Sequence, residues 1–62
     1  MKIYKTGMKI RYEATDFDGT TVMEGIVTEV HKDHVIVSTP DPRSPRLWLD
    51  EETEYMFTIM EE

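Results

Sequence analysis

From residue 8 onward the chain alternates apolar and polar positions in twos, and nowhere does it sustain the apolar i, i+3, i+4, i+7 stripe of a helix over three turns. Met8, Ile10, Tyr12 and Ala14 alternate with Lys9, Arg11, Glu13 and Thr15, which predicts a first strand ending at the turn signal Asp16-Phe17-Asp18-Gly19. A β-rich stretch from Thr20 to His31 follows. Lys32-Asp33 interrupts it before His34-Val35-Ile36-Val37-Ser38-Thr39, so a tight hairpin is expected between the second and third strands. Pro40, Pro42 and Pro45 mark the next segment as a loop, because proline donates nothing to a ladder. Beyond it the pattern predicts a short strand from Arg46 to Leu49, an acidic turn from Asp50, and a final strand from about Tyr55 to Met60.

A two-residue turn at Lys32-Asp33 sets Val30 opposite Val35 and Thr28 opposite Val37, which places Ile26, Val30, Val35 and Val37 on one core face. Ile10 and Ala14 join that face if Ile10 opposes Ile26 and Ala14 opposes Val22. That pairing requires a three-residue loop, Phe17-Asp18-Gly19, with Gly19 at a left-handed position beside a bulge. A two-residue Asp-Gly turn buries Met23 and Val27 instead, so one of the two hairpins must hold a bulge. Gly25, midway along the long second strand, is the expected site of a sharp bend. Asp50 is expected to cap a short helical turn through Thr53, with Glu51 and Glu52 at its positive end.

Sixty-two residues make one small domain, 1–62, that must hold together without disulfides or thiolate zinc, since there is no cysteine. Seven Lys and Arg against thirteen Asp and Glu give a net charge of -6, which opposes binding to nucleic acid or an anionic membrane. The signs are segregated. Lys2, Lys5, Lys9 and Arg11 stand near the start, and Asp50, Glu51, Glu52, Glu54, Glu61 and Glu62 near the end, so the terminal strands are expected to lie side by side and pair their charges. The first residues carry no long apolar run, and this predicts a cytoplasmic location with no membrane span.

Gly7, the segment Glu24-Gly25-Ile26-Val27 leading into a tight hairpin, and the turn Asp50 to Glu54 give residues 7 to 62 a layout that resembles the SH3-like small barrels. The resemblance implies an all-β barrel of about five strongly bent antiparallel strands with one short 3-10 turn before the last. Peptide-binding SH3 domains carry an Ala-Leu-Tyr-Asp-Tyr segment and a Trp-Trp pair, and neither occurs here, so recognition of proline-rich peptides does not carry over. Gly25 to Val30 is also similar to the strand of KOW-type modules, which are usually basic. Tudor-like barrels suggest an aromatic cage for a methylated cation, for which Tyr12, Phe17, Trp48 and Tyr55 are the residues to hand.

Catalytic chemistry finds little footing. No serine has a base and an orienting acid near it in the pattern, the glycines are scattered, and the carboxylates of the acidic turn sit where nothing raises a pKa. His31, His34 and Asp33 share a hairpin tip but lack a third or fourth fixed ligand for a metal, so no metal, cofactor, small-molecule substrate or enzymatic activity is expected.

What remains is surface. With Leu47, Leu49, Tyr55, Phe57 and Ile59 turned inward, Trp48, Met56 and Met60 face outward, joined by Met23, Val27 and Ile36, unless curvature, Ile3-Tyr4 or the proline loop covers them. This predicts a protein-interaction module, or self-association, with Arg43 and Arg46 as contacts from the rigid loop. The alternative is an acidic nucleic-acid mimic of phage type that uses Glu13, Glu24, Glu29, Asp50, Glu51, Glu52 and Glu54 in a basic channel of its target. Weak nucleic-acid binding through Lys2, Lys5, Lys9 and Arg11 is the third possibility.

Overall fold

The computed structural model describes residues 1–61; Glu62, counted above in the acidic C-terminal group, lies outside them. The elements are β1 (Lys9–Asp16), β2 (Gly19–Val30), β3 (Val35–Ser38), β4 (Arg46–Leu49), a 3-10 turn (Glu54–Met56) and β5 (Phe57–Glu61). Every pairing is antiparallel and the strands form one sheet in the order β4-β3-β2-β1-β5. The all-β class, the five strands and the helical turn before the last are as expected. β4 and β5 are the two edges and share no ladder among the described residues, so the sheet is not closed into a barrel.

The ladders correct the predicted register. β1 and β2 meet through a two-residue turn, Phe17-Asp18, with Asp16 opposite Gly19 and Ile10 opposite Gly25, and no bulge interrupts them. Asp16 Oδ1 accepts the Asp18 N–H at 2.8 Å, and the positive φ of +120° falls on Gly19. The bulge lies in the other hairpin, at Thr28, so Val27 rather than Thr28 opposes Val37, while Val30 still opposes Val35. A slip of one residue exchanges the faces of a strand. Val27 is therefore buried, Met23 half-buried, and Ile26 and Val22 lie exposed instead of in the core; Val30, whose pairing with Val35 is the predicted one, is also exposed rather than buried.

Gly25 stands where β2 passes from β1 to β3: its own partner is Ile10 on β1, and its neighbour Ile26 pairs with Ser38 on β3. Tyr4, Met8, Ile10, Val27, Val35, Val37, Leu49 and Phe57 form the core, with Tyr12, Leu47, Met56 and Ile59 packed on its margin. On β3, β4 and β5 the expected inward positions hold except Tyr55. That residue belongs to the 3-10 turn rather than to β5, where the alternation of a strand no longer applies, and it is exposed. Asp50 starts the turn as expected, accepting the Glu52 and Thr53 N–H groups at 2.9 and 3.1 Å, while Thr53 Oγ1 accepts the Asp50 N–H at 3.0 Å.

The opposite charges of the two ends do meet: β1 lies beside β5, with Lys9 Nζ 4.0 Å from Glu61. The N-terminal segment adds a strap. Gly7 N–H donates to the Val27 carbonyl at 2.8 Å and Val27 N–H to the Met8 carbonyl at 2.9 Å, which carries Tyr4 and Met8 into the core. Glu54 Oε2 accepts the Lys2 N–H at 2.8 Å and the Tyr4 hydroxyl at 2.9 Å. The Lys2 N–H, followed by the Tyr4 hydroxyl, holds the Glu54 carboxyl below its ordinary range despite partial burial.

Burial, then the carboxylate of Glu54, raises the Tyr4 hydroxyl to about 12. Because the folded chain holds this proton more tightly than the unfolded one, the stabilisation is complete below the ordinary tyrosine value near 10. It is lost as pH rises from there through about 12, an effect of order 2 kcal/mol. Tyr4→Phe is expected to cost about 1 kcal/mol at pH 8. In urea titrations the gap between wild type and variant should close by about pH 11 and reverse by about pH 12, and a gap that stays constant with pH would contradict the assignment.

Candidate functional site

The outward row of the β2–β3–β4 corner carries an arrangement of side chains that the core does not explain. Val35 and Val37 point inward on β3, so His34 and Ile36 point outward; Leu47 and Leu49 point inward on β4, so Arg46 and Trp48 point outward. The β3–β4 register sets Ile36 opposite Trp48 and Ser38 opposite Arg46, and beyond the Thr28 bulge Glu29 opposes Ile36. His31 and His34 flank the Lys32-Asp33 turn, and His31 N–H donates to the His34 carbonyl at 2.8 Å.

Three rings stack in this row. His34 lies on Trp48 with centroids 3.7 Å apart and planes 7° from parallel, and His31 lies on His34 at 4.4 Å and 16°. Acidic partners fix each ring from the side: Glu29 Oε1 is 2.9 Å from His31 Nε2, Asp33 Oδ1 is 2.7 Å from His34 Nδ1, and the Trp48 indole N–H donates to Asp50 Oδ2 at 2.9 Å. Arg46 closes the row through a 2.8 Å contact with the other oxygen of Glu29. Trp48 remains 54% exposed, so it faces solvent while stacked on His34 and hydrogen-bonded to Asp50.

The carboxylates record these contacts. The hydrogen bond from His31, then the charge of Arg46, holds Glu29 below its ordinary range, and the bond from His34 does the same for Asp33. At Asp50 desolvation pulls upward, but the N–H groups of Thr53 and Glu52 and the indole of Trp48 together hold the carboxyl low. The imidazoles stand face to face with their nitrogens turned to separate carboxylates, and they do not converge on a common point.

The predicted contact residues are thus divided. Trp48 and Arg46 stand together on β4, and Met60 is exposed on β5 at the opposite edge of the sheet. Val27 leaves the predicted face because the bulge turns it into the core. Ile36 is buried between Trp48 and the Glu29–Arg46 pair, while Met23 and Met56 are half-buried on the inner side. Arg43 extends from the proline loop beside Asp41. That loop is tied by Thr39, whose hydroxyl donates to the Ser44 carbonyl at 2.5 Å and accepts the Asp41 N–H at 3.2 Å.

The acidic set does not form one surface either. Glu29, Asp50 and Glu54 are engaged within the chain, Glu13 lies 3.8 Å from Arg11, Glu24 faces Arg11 across the ladder, and Glu51 and Glu52 stand exposed on the turn. Nor do the four aromatic residues named for a cage converge. Tyr12 packs inside on Phe57 at 5.1 Å, Phe17 stands fully exposed at the tip of the first hairpin, Tyr55 is on the 3-10 turn, and Trp48 is on the outer face.

The stack itself escaped the sequence reading. Its signal was the outward parity of His34 and Trp48 on either side of the proline loop, which becomes a contact only when the loop sets Ser38 opposite Arg46. No helix among the described residues is long and apolar enough to cross a membrane. Compared with protein family models, curated proteins and solved structures, the chain matches none.

Proposed function

We propose that the protein is a non-enzymatic interaction module that presents the Trp48 face of the β2–β3–β4 corner to a partner protein. The observation that carries this reading is the half-exposed indole clamped between the His34 ring and the Asp50 carboxylate. An exposed tryptophan that merely covered its own core would gain nothing from being fixed on its open side. One that binds a partner gains affinity, because the rotamer entropy is already lost before contact. Ile36 across the ladder from it and Arg46 beside it supply an apolar neighbour and a charged rim, the usual anatomy of a contact patch. The strand order β4-β3-β2-β1-β5, with one helical turn before the last strand, supports the SH3-like layout for the scaffold.

A photo-crosslinking residue at position 46, beside Trp48, is the test, with the same residue at position 24 as a control on β2 away from the stack. In the cells that make the protein, a discrete adduct from position 46 that disappears in Trp48→Ala is the expected result. Adducts that form equally from position 24, or that survive Trp48→Ala, would overturn it. Trp48→Ala should itself cost less than about 1 kcal/mol of stability, because the side chain is mostly outside the core.

A further inference from the structure

We propose that the His31–His34–Trp48 column is a pH-sensitive element that changes the charge and shape of the contact face as pH falls through the imidazole range. This rests on the reading of Trp48 as a contact and adds its regulation. Imidazole is the side chain that ordinarily changes charge between pH 5 and 8. Two of them stacked with centroids 4.4 Å apart oppose each other once both are charged. Each has its own counter-ion, and the two carboxylates are different ones: Glu29 for His31 and Asp33 for His34.

The charged groups around the column set the direction. On β2 it meets Glu29, which also holds Arg46 from β4; the hairpin turn contributes Lys32 and Asp33; Asp50 approaches through the indole of Trp48. Lys2 of the N-terminal strap, with Glu51 and Glu52, borders the same groove as His31, Lys32 and Asp33. Both imidazolium charges are therefore balanced from outside the stack, and neither is balanced between the rings. His34 gains a second attraction when charged, because its ring lies over the face of Trp48 at 3.7 Å. The weak joint is the contact between the two histidines. On acidification His34 stays on Trp48 while His31 separates from it, and the face acquires up to two positive charges beside Arg46.

The test follows the imidazole signals of both histidines by NMR, and Trp48 fluorescence, from pH 8 to pH 4.5 in the wild type, His31→Gln and His34→Gln. Glutamine at position 31 keeps a donor for Glu29. In the wild type the contact between the His31 and His34 rings is expected to be lost on acidification while that between His34 and Trp48 persists, which needs no variant to read. In His31→Gln the contact between the His34 and Trp48 rings should persist across the same range. Trp48 emission should fall on acidification, through contact with the charged ring, and lose that dependence in His34→Gln. A contact between the His31 and His34 rings that is unchanged from pH 8 to pH 4.5, or Trp48 emission indifferent to pH, would overturn the proposal. The titration is read on the isolated chain and the cross-link in the producing cell, so either can fail without the other.

Discussion

Gly25→Ala is expected to leave the protein largely unfolded at 37 °C. A Cβ on Gly25 would overlap the Ser38 backbone carbonyl and stand 2.8 Å from Val37 Cγ1. The carbonyl belongs to β3 and cannot retreat without breaking the β2–β3 ladder, which starts at Ile26 and Ser38. Relief therefore needs backbone displacement, at a cost of about 3 kcal/mol or more. A domain below about 70 residues with neither disulfide nor metal rarely has more than about 3–5 kcal/mol in total. Gly19 provides the contrast. Open space surrounds it, and only its φ of +120° resists a side chain, so Gly19→Ala should lose about 1 kcal/mol and stay folded. Urea or thermal unfolding followed by circular dichroism separates the two, and equal losses at Gly25 and Gly19 would show that the close approach is not tight.

Ile10→Ala should approach the same outcome by the opposite route. Ile10 is completely buried on β1, opposite Gly25 on one side and Ile59 of β5 on the other. Truncation leaves a void where the strands on both flanks are fixed by ladders and cannot collapse into it. The expected cost is about 2–5 kcal/mol, most or all of the stability of a chain this size. Leu47→Ala, at a half-buried position on the margin of the core, should cost clearly less. If the two variants unfold at the same urea concentration, the core is not centred on Ile10.

These two sites show what the sequence made legible. Gly25 stands midway along a twelve-residue strand, where a lone glycine reads as a bend; the close approach of the Ser38 carbonyl to it depends on the β2–β3 register and was not legible. The hairpin at Lys32-Asp33 and the cap at Asp50 were plain, because each depends on residues within three or four positions of one another. The inward face of β2 was not. It depends on whether one extra residue is absorbed at Gly19 or at Thr28, and both placements satisfy the alternation, since a run of Ile26, Val27 and Val30 offers apolar residues of either parity.

Tyr55 illustrates a second limit. The apolar alternation from Tyr55 to Ile59 reads as strand, but the turn begun by Asp50 and Thr53 runs on as 3-10 through Met56 and takes Tyr55 out of the alternation. The ring stack needed a third kind of knowledge, the register across the proline loop. That register is fixed by Thr39 N–H donating to the Pro45 carbonyl at 2.9 Å, a contact no periodicity announces. The pattern of the chain therefore yielded the outward direction of Trp48 but not its company.

The claim that Trp48 is both open and fixed has a direct measurement, because the chain has one tryptophan. Time-resolved fluorescence anisotropy, combined with acrylamide quenching at neutral pH, reads both properties from the same residue. Efficient quenching together with a single slow decay, set by tumbling of the whole molecule, is the expected result. It should give way to fast local depolarisation when Asp50→Ala and His34→Ala remove the two clamps. Fast depolarisation in the wild type would show a free side chain without a prepared contact, and protection from acrylamide would put the indole in the core.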